Sequence, residues 1–139
     1  MTNAATLIVR TAMRRYAVRR DDVQAIRLIG GAADLEAGDG RNPYIGVELG
    51  PLLDPNDRST RSRRHALIVP LRRRFVALLV DHIETFQEQA SIAALPALLA
   101  AQLRQPWAIG AVEIDTELLV QLDLRAVART ALAQRSDMG

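Results

Sequence analysis

Apolar residues fall along this chain in short runs, each closed by charged or turn-forming residues. Leu7-Ile8-Val9 and Tyr16-Ala17-Val18 flank an arginine-bearing turn, and Gln24-Ala25-Ile26-Arg27-Leu28-Ile29 stops at Gly30-Gly31. Tyr44-Ile45-Gly46-Val47-Glu48 follows a glycine-rich stretch. Residues 66–69 and 75–80 flank Arg72-Arg73-Arg74, and 109–112 and 118–122 flank Asp115-Thr116-Glu117. Runs this short, punctuated this often, predict β-strands, and many short strands at modest spacing predict sheets curled into sandwiches or small barrels.

Two helices are expected among the strands. Pro96 suits the first turn of a helix over 96–103, which Pro106 closes. Leu124, Val127, Ala128, Ala131 and Leu132 hold the spacing of one face of an amphipathic helix, with Asp123 placed to cap it. The connection 54–64 offers no apolar anchor and reads as a mobile surface loop. The glycine-rich stretch 30–40 reads as a plain flexible turn. It matches neither a Walker loop nor a dinucleotide fingerprint, and its acidic residues would repel phosphate.

The two halves echo each other. Arg15-Tyr16-Ala17-Val18 followed by Asp22-Val23 and Ile26 resembles Arg74-Phe75-Val76-Ala77 followed by His82-Ile83 and Phe86. Val47-Glu48-Leu49 with Leu52-Leu53 resembles Leu122-Asp123-Leu124 with Val127. The matching order predicts two related β subdomains, about 6–56 and about 65–134, joined by the loop 54–64.

Composition narrows the functional classes. At 139 residues, 49% apolar but 4% aromatic, the chain makes one ordinary domain, or two very small subdomains sharing a core of Leu, Ile, Val and Ala. The pI of 9.9 suggests a nucleic-acid binder, yet the net charge at pH 7 is only +2. All 18 basic residues are arginine, and without lysine or cysteine almost nothing titrates between neutrality and the arginines, so the high pI reports a flat titration curve. The absence of cysteine excludes disulfides, thiol catalysis and thiolate metal sites. The N-terminal segment does not read as a signal peptide, and no apolar run reaches the ~18 residues that cross a bilayer. A cytoplasmic protein with no direct membrane insertion is expected.

The arginine runs Arg14-Arg15, Arg19-Arg20, 61–64 and Arg72-Arg73-Arg74 sit at predicted turns, where a solvated guanidinium costs least. No aromatics interleave with them for base stacking, so a small β-barrel nucleic-acid-binding protein using arginine-rich loops is the alternative reading rather than the leading one. Catalytic candidates are sparse: His65, His82 and the pair Asp81-His82. Neighbours along a strand face opposite ways and no glycine-flanked serine accompanies them, so structural or surface histidines are expected, with no enzymatic activity. Two histidines without metal-ligand spacing predict no metal site, and no cofactor is implied. Trp107 reads as a packing residue, with a partner-binding anchor as the alternative.

The order of segments resembles the CheW-like domain family, the adaptor fold of bacterial chemotaxis. The likeness runs from about Thr6 to Ala131 and rests on five segments. Arg15-Tyr16-Ala17-Val18 comes first, then Asp22-Val23-Gln24-Ala25-Ile26, then Val47-Glu48-Leu49 with Leu52-Leu53. Phe75-Val76-Ala77-Leu78-Leu79-Val80-Asp81-His82-Ile83 and Leu118-Leu119-Val120-Gln121-Leu122-Asp123-Leu124 complete the series. Each motif is mostly aliphatic; their shared order is the specific feature.

The resemblance implies a mainly β domain spanning 1–139, built of two small SH3-like β-barrel subdomains packed together, with short helices including a C-terminal one. It implies a non-enzymatic signal-transduction adaptor coupling the cytoplasmic helical tip of a chemoreceptor to the regulatory domain of a CheA-type histidine kinase. Receptor helices would lie in the groove between barrels, with Val23, Ile26, Val80 and Ile83 as groove-lining positions. The chain departs from the family where Asn-Leu-Arg-Gly usually precedes the Ile-Asp-Leu strand. Here 30–43 is shorter and lacks that motif, so the first barrel is expected to lack a strand or loop and partner choice to differ.

Overall fold

In the first hairpin, β1 (Thr6–Arg10) and β2 (Arg15–Arg19), successive side chains separate onto opposite faces. Leu7, Val9, Tyr16 and Val18 join one buried cluster, and Ile8 and Ala17 join another. The computed structural model describes residues 6–62, 64–87, 91–92, 107–114 and 117–138. Within them the fold is mainly β, with two sheets and few helices.

The remaining strands are β3 (Ala25–Ile29), β4 (Tyr44–Glu48), β5 (Arg64–Pro70), β6 (Phe75–Val80), β7 (His82–Gln87), β8 (Ser91–Ile92), β9 (Ala108–Ile114) and β10 (Glu117–Leu122). A six-stranded sheet runs β7-β1-β2-β10-β9-β8, and a four-stranded sheet runs β3-β5-β6-β4. Both contain the same motif. In the first, β7 and β2 flank β1 antiparallel and β10 lies parallel to β2. In the second, β3 and β6 flank β5 antiparallel and β4 lies parallel to β6. The internal echo therefore has a counterpart in the topology: Tyr16 and Phe75 lie near the starts of equivalent strands, and Leu49 and Leu124 begin helices after equivalent strands.

Each sheet nevertheless takes strands from both sides of the connection 54–64. The chain crosses between sheets after β2, through a 3-10 turn at Arg20–Asp22, and again after β6 at Asp81. There the Asp81 amide donates to the Arg10 carbonyl at 2.9 Å before β7 pairs with β1.

The four-stranded sheet is apolar on both faces because both are covered. Leu67, Val69, Val76, Leu78 and Val80 face the core shared between the sheets, while Ala66, Ile68 and Ala77 pack with Ile29 and Tyr44 on the other side. Apolar runs without alternation, as in β5 and β6, are what a doubly covered sheet requires.

A helix stands in the expected glycine-rich turn: α1 (Ala32–Ala37), which contacts both β3 and β4, the two outer strands of the four-stranded sheet. Ala32-Ala33-Asp34-Leu35-Glu36-Ala37 is a run of mostly good helix formers, too short for its periodicity to show. Gly38 ends it at φ +54°, where a Cβ would lie 1.9 Å from the Asn42 carbonyl oxygen. Leu35 packs against the cluster containing Tyr44 and Ile68, over Gly46.

The C-terminal helix, α3 (Leu124–Met138), buries Leu124, Val127, Ala128 and Ala131, the stripe read from the sequence. Its first turn is capped as expected: Asp123 Oδ1 accepts from the amides of Arg125 at 3.1 Å and Ala126 at 3.3 Å. A shorter helix, α2 (Leu49–Leu53), follows β4 and buries Leu49 in the shared core. The helix expected over 96–103 lies outside the described residues.

The connection 54–64 is not without an anchor. Asp57 is completely buried, with Oδ1 accepting from the Met13 amide at 2.9 Å and Oδ2 from the Thr11 hydroxyl. A carboxylate holds this segment, which has no large apolar side chain to do so. Arg72, Arg73 and Arg74 are exposed at the β5–β6 turn, closed by the Leu71 amide donating to the Arg74 carbonyl at 2.8 Å.

Candidate functional site

Two adjoining depressions of about 300 and 400 Å³ have Arg14, Tyr16 and Val120 in common. The elements fix these positions independently. Tyr16 lies on β2, Val120 lies on β10 and Leu53 ends α2. Trp107 is held beside the start of α3 because its carbonyl accepts from the Asp123 amide at 2.6 Å. Together Tyr16, Leu53, Trp107 and Val120 give the groove an apolar floor, and each packs within or against the shared core. Met13, 64% exposed, and Leu118, 37% exposed, extend the apolar surface.

Charges of both signs rim the groove. Arg14 contacts Asp54 at 3.1 Å, Arg15 contacts Glu84 at 2.8 Å, and Arg15 also pairs with Glu117. The Asp54 carboxyl is held below its ordinary range by the Asn56 amide and by Arg14. Burial pushes the Tyr16 phenol up to about 12, aided by Asp57 and Asp54 and opposed by Arg14, so it stays a neutral hydrogen-bonding group at neutral pH. An apolar floor between paired charges suits the apolar stripe of an amphipathic helix.

A second polar cluster lies where β6 gives way to β7. Arg64, 6% exposed, reaches Glu48 with one guanidinium nitrogen. Its Nε lies 3.2 Å from Asp81 Oδ1, off the line that a hydrogen bond needs. His65 and His82 meet edge to face with ring centroids 5.8 Å apart. The His65 imidazole is pushed below its usual range by burial, then by His82 and Arg61. Asp81 and His82, adjacent in sequence, thus have different neighbours: the carboxylate turns to Arg64 and the imidazole to His65. Among the described residues, no three metal-ligating side chains gather in one place. No described helix is long and apolar enough to cross a membrane.

Of the four positions read from the sequence, Val23 and Val80 are buried in the shared core and Ile83 packs against it, half-buried. Ile26 is 39% exposed on β3, sharing a face with Leu28 at 54%. The groove is lined by other residues. Nothing local in the sequence could have gathered Tyr16, Leu53 and Val120, which come together only through the packing of the sheets. Trp107 was the one legible signal.

No protein-family model matches the sequence, and no curated protein matches it. Among solved structures the chain is similar to the crystal structure of the scaffolding protein TtCheW from Thermoanaerobacter tengcongensis. The TM-score is 0.58 at 13% identity, over 89% of this chain and 86% of that one. At that identity the likeness speaks to architecture: this chain has the two-subdomain β fold of a CheW scaffolding protein.

Proposed function

We propose that this chain is a non-enzymatic scaffold of a bacterial chemotaxis-type signalling array, acting in the cytoplasm as one CheW-like domain over 1–139. In this reading it couples the helical tip of a chemoreceptor to the regulatory domain of a CheA-type histidine kinase. The observation that carries the reading is the inter-sheet groove floored by Tyr16, Leu53, Trp107 and Val120, in a fold shared with a scaffolding protein over most of both chains. The receptor helix lies along that floor with its polar flanks against Arg14, Asp54, Arg15 and Glu117. Ile26, with Leu28, gives a further apolar contact on edge strand β3; Val23, Val80 and Ile83 shape these surfaces from beneath. The helix α1, standing where the family carries its longer Asn-Leu-Arg-Gly segment, supports a divergent choice of partner.

The test is binding of the purified chain to receptor cytoplasmic fragments and to the kinase regulatory domain from the same organism, followed by calorimetry. Trp107→Ala is expected to weaken receptor-fragment binding at least about tenfold, as for a central aromatic anchor. Binding to neither partner at high concentration would overturn the reading.

A further inference from the structure

The fold assembles a basic cleft beside the groove, meeting it at Arg10 and Ala12. It is open, about 650 Å³ in volume, and lies between the end of β1 and the connection that precedes β5. Arg10, Thr11, Arg58, Thr60, Arg61 and His82 line it, from segments far apart in sequence. Among the described residues its only acidic lining residue, Asp81, is already answered by Arg64 at 3.2 Å. Arg10 stands 4.0 Å from Glu84, but Arg58 and Arg61 have no carboxylate within salt-bridge distance among the described residues.

Those two guanidinium groups are oriented by the backbone instead. Arg58 Nε donates to the Pro55 carbonyl at 3.2 Å, and Arg61 donates to the Asp81 carbonyl at 3.5 Å. The segment that bears them is pinned next to the cleft by buried Asp57, whose partner Thr11 is itself a lining residue. Cationic forks held in place, with donors to spare and no internal anion, are pre-organised for oxyanions.

We propose that this cleft binds an acidic peptide segment of a partner protein, its carboxylates taken by Arg58 and Arg61 with Arg10 behind them. The proposal rests on the scaffold reading and adds a second, polar contact to the apolar groove. An open trough admits a passing chain. Among the described residues no Phe, Tyr or Trp lines it to give the stacking platform that single-stranded nucleic acid uses.

Fluorescence anisotropy of a labelled hexaglutamate peptide against the full chain, at low and physiological salt, tests this, with hexaglutamine and a short oligonucleotide as comparison probes. Hexaglutamate is expected to bind and hexaglutamine not. The R58Q/R61Q double variant should lose at least about tenfold in affinity. R72Q/R73Q, which removes the same charge at the β5–β6 turn, should change it less than about threefold. These side chains are exposed, so unaltered thermal midpoints are expected to confirm that the variants fold. Failure to bind hexaglutamate at low salt, or equal losses in both double variants, overturns the proposal. Tighter binding of the oligonucleotide through Arg58 and Arg61 overturns it in favour of nucleic acid. Binding of receptor fragments to the groove by R58Q/R61Q would show that only the cleft assignment, and not the scaffold reading, had failed.

Discussion

The backbone amide of Met13 donates to the Asp57 carboxylate at 2.9 Å, tying the turn of the first hairpin to a connection 44 residues later in the chain. Because the Thr11 hydroxyl takes the other oxygen, one buried side chain satisfies donors from the turn and fixes the segment that carries Arg58 and Arg61. Asp57→Ala strips both acceptors and is expected to cost about 2–3 kcal/mol, the range for buried hydrogen bonds to a charged group. Asp57→Asn, which keeps one acceptor, should cost less. Gly50→Ala reaches the same contact from the opposite side, because its Cβ would lie 2.5 Å from the Asp57 carbonyl oxygen. Urea unfolding of the three variants checks the order.

Leu35 and Gly46 are coupled on the outer face of the four-stranded sheet, the face that α1 covers. A Cβ on Gly46 would stand 2.5 Å from Leu35 Cδ1, so Gly46→Ala forces that side chain aside at about 1 kcal/mol. Leu35→Ala alone uncovers part of the cluster beneath and should cost about 1–2 kcal/mol, less than a fully buried leucine. In the double variant the added methyl meets no obstacle, so Gly46→Ala should be close to neutral there. Additive losses in the double-mutant cycle would refute the coupling.

Arg64 balances two carboxylates of unequal exposure: Asp81 at 12% and Glu48 at 43%. Arg64→Ala leaves the Asp81 carboxylate nearly buried without its ion-pair partner and is expected to destabilise by about 3 kcal/mol. Glu48→Gln removes the more solvated contact and should cost less than about 1 kcal/mol. Equal losses on thermal unfolding would mean that burial does not set the cost.

Stability should fall on mild acidification through His65. Its folded-state pKa lies below the ordinary 6.5 because of burial, His82 and Arg61. The unfolded chain therefore takes up the proton more readily, and folding stability, full above that value, declines as pH drops through it toward the folded-state pKa. The Asp39 and Asp54 carboxyls, both held low, lose their contribution only below 3.8, so the windows separate. Denaturant midpoints between about pH 8 and pH 5 should shift down for the wild type and stay flatter for His65→Gln.

The strands were legible because their causes are local. Short aliphatic runs closed by arginine, glycine or proline specify where a strand begins and ends, and the stripe from Leu124 to Ala131, with Asp123 before it, specifies a capped helix wherever it docks. The echo between Tyr16 and Phe75, and between Leu49 and Leu124, is likewise written in residue type and order. α1 was not legible because its one large apolar residue, Leu35, shows no period.

Which strands share a sheet was decided in three dimensions. The chain changes sheets after β2 and after β6, so β7 joins β1 and β3 joins β5. Local pattern tells a strand which face to bury but not which edge to pair with, since backbone hydrogen bonds are the same at every edge. For the same reason Val23 and Val80 were legible as apolar positions, but which surface each faces was settled by packing, and Tyr16, Leu53, Trp107 and Val120 became one groove only when the sheets packed. Asp57 shows the opposite case: a polar residue in a polar segment carries no sign of burial until the Thr11 and Met13 donors close around it.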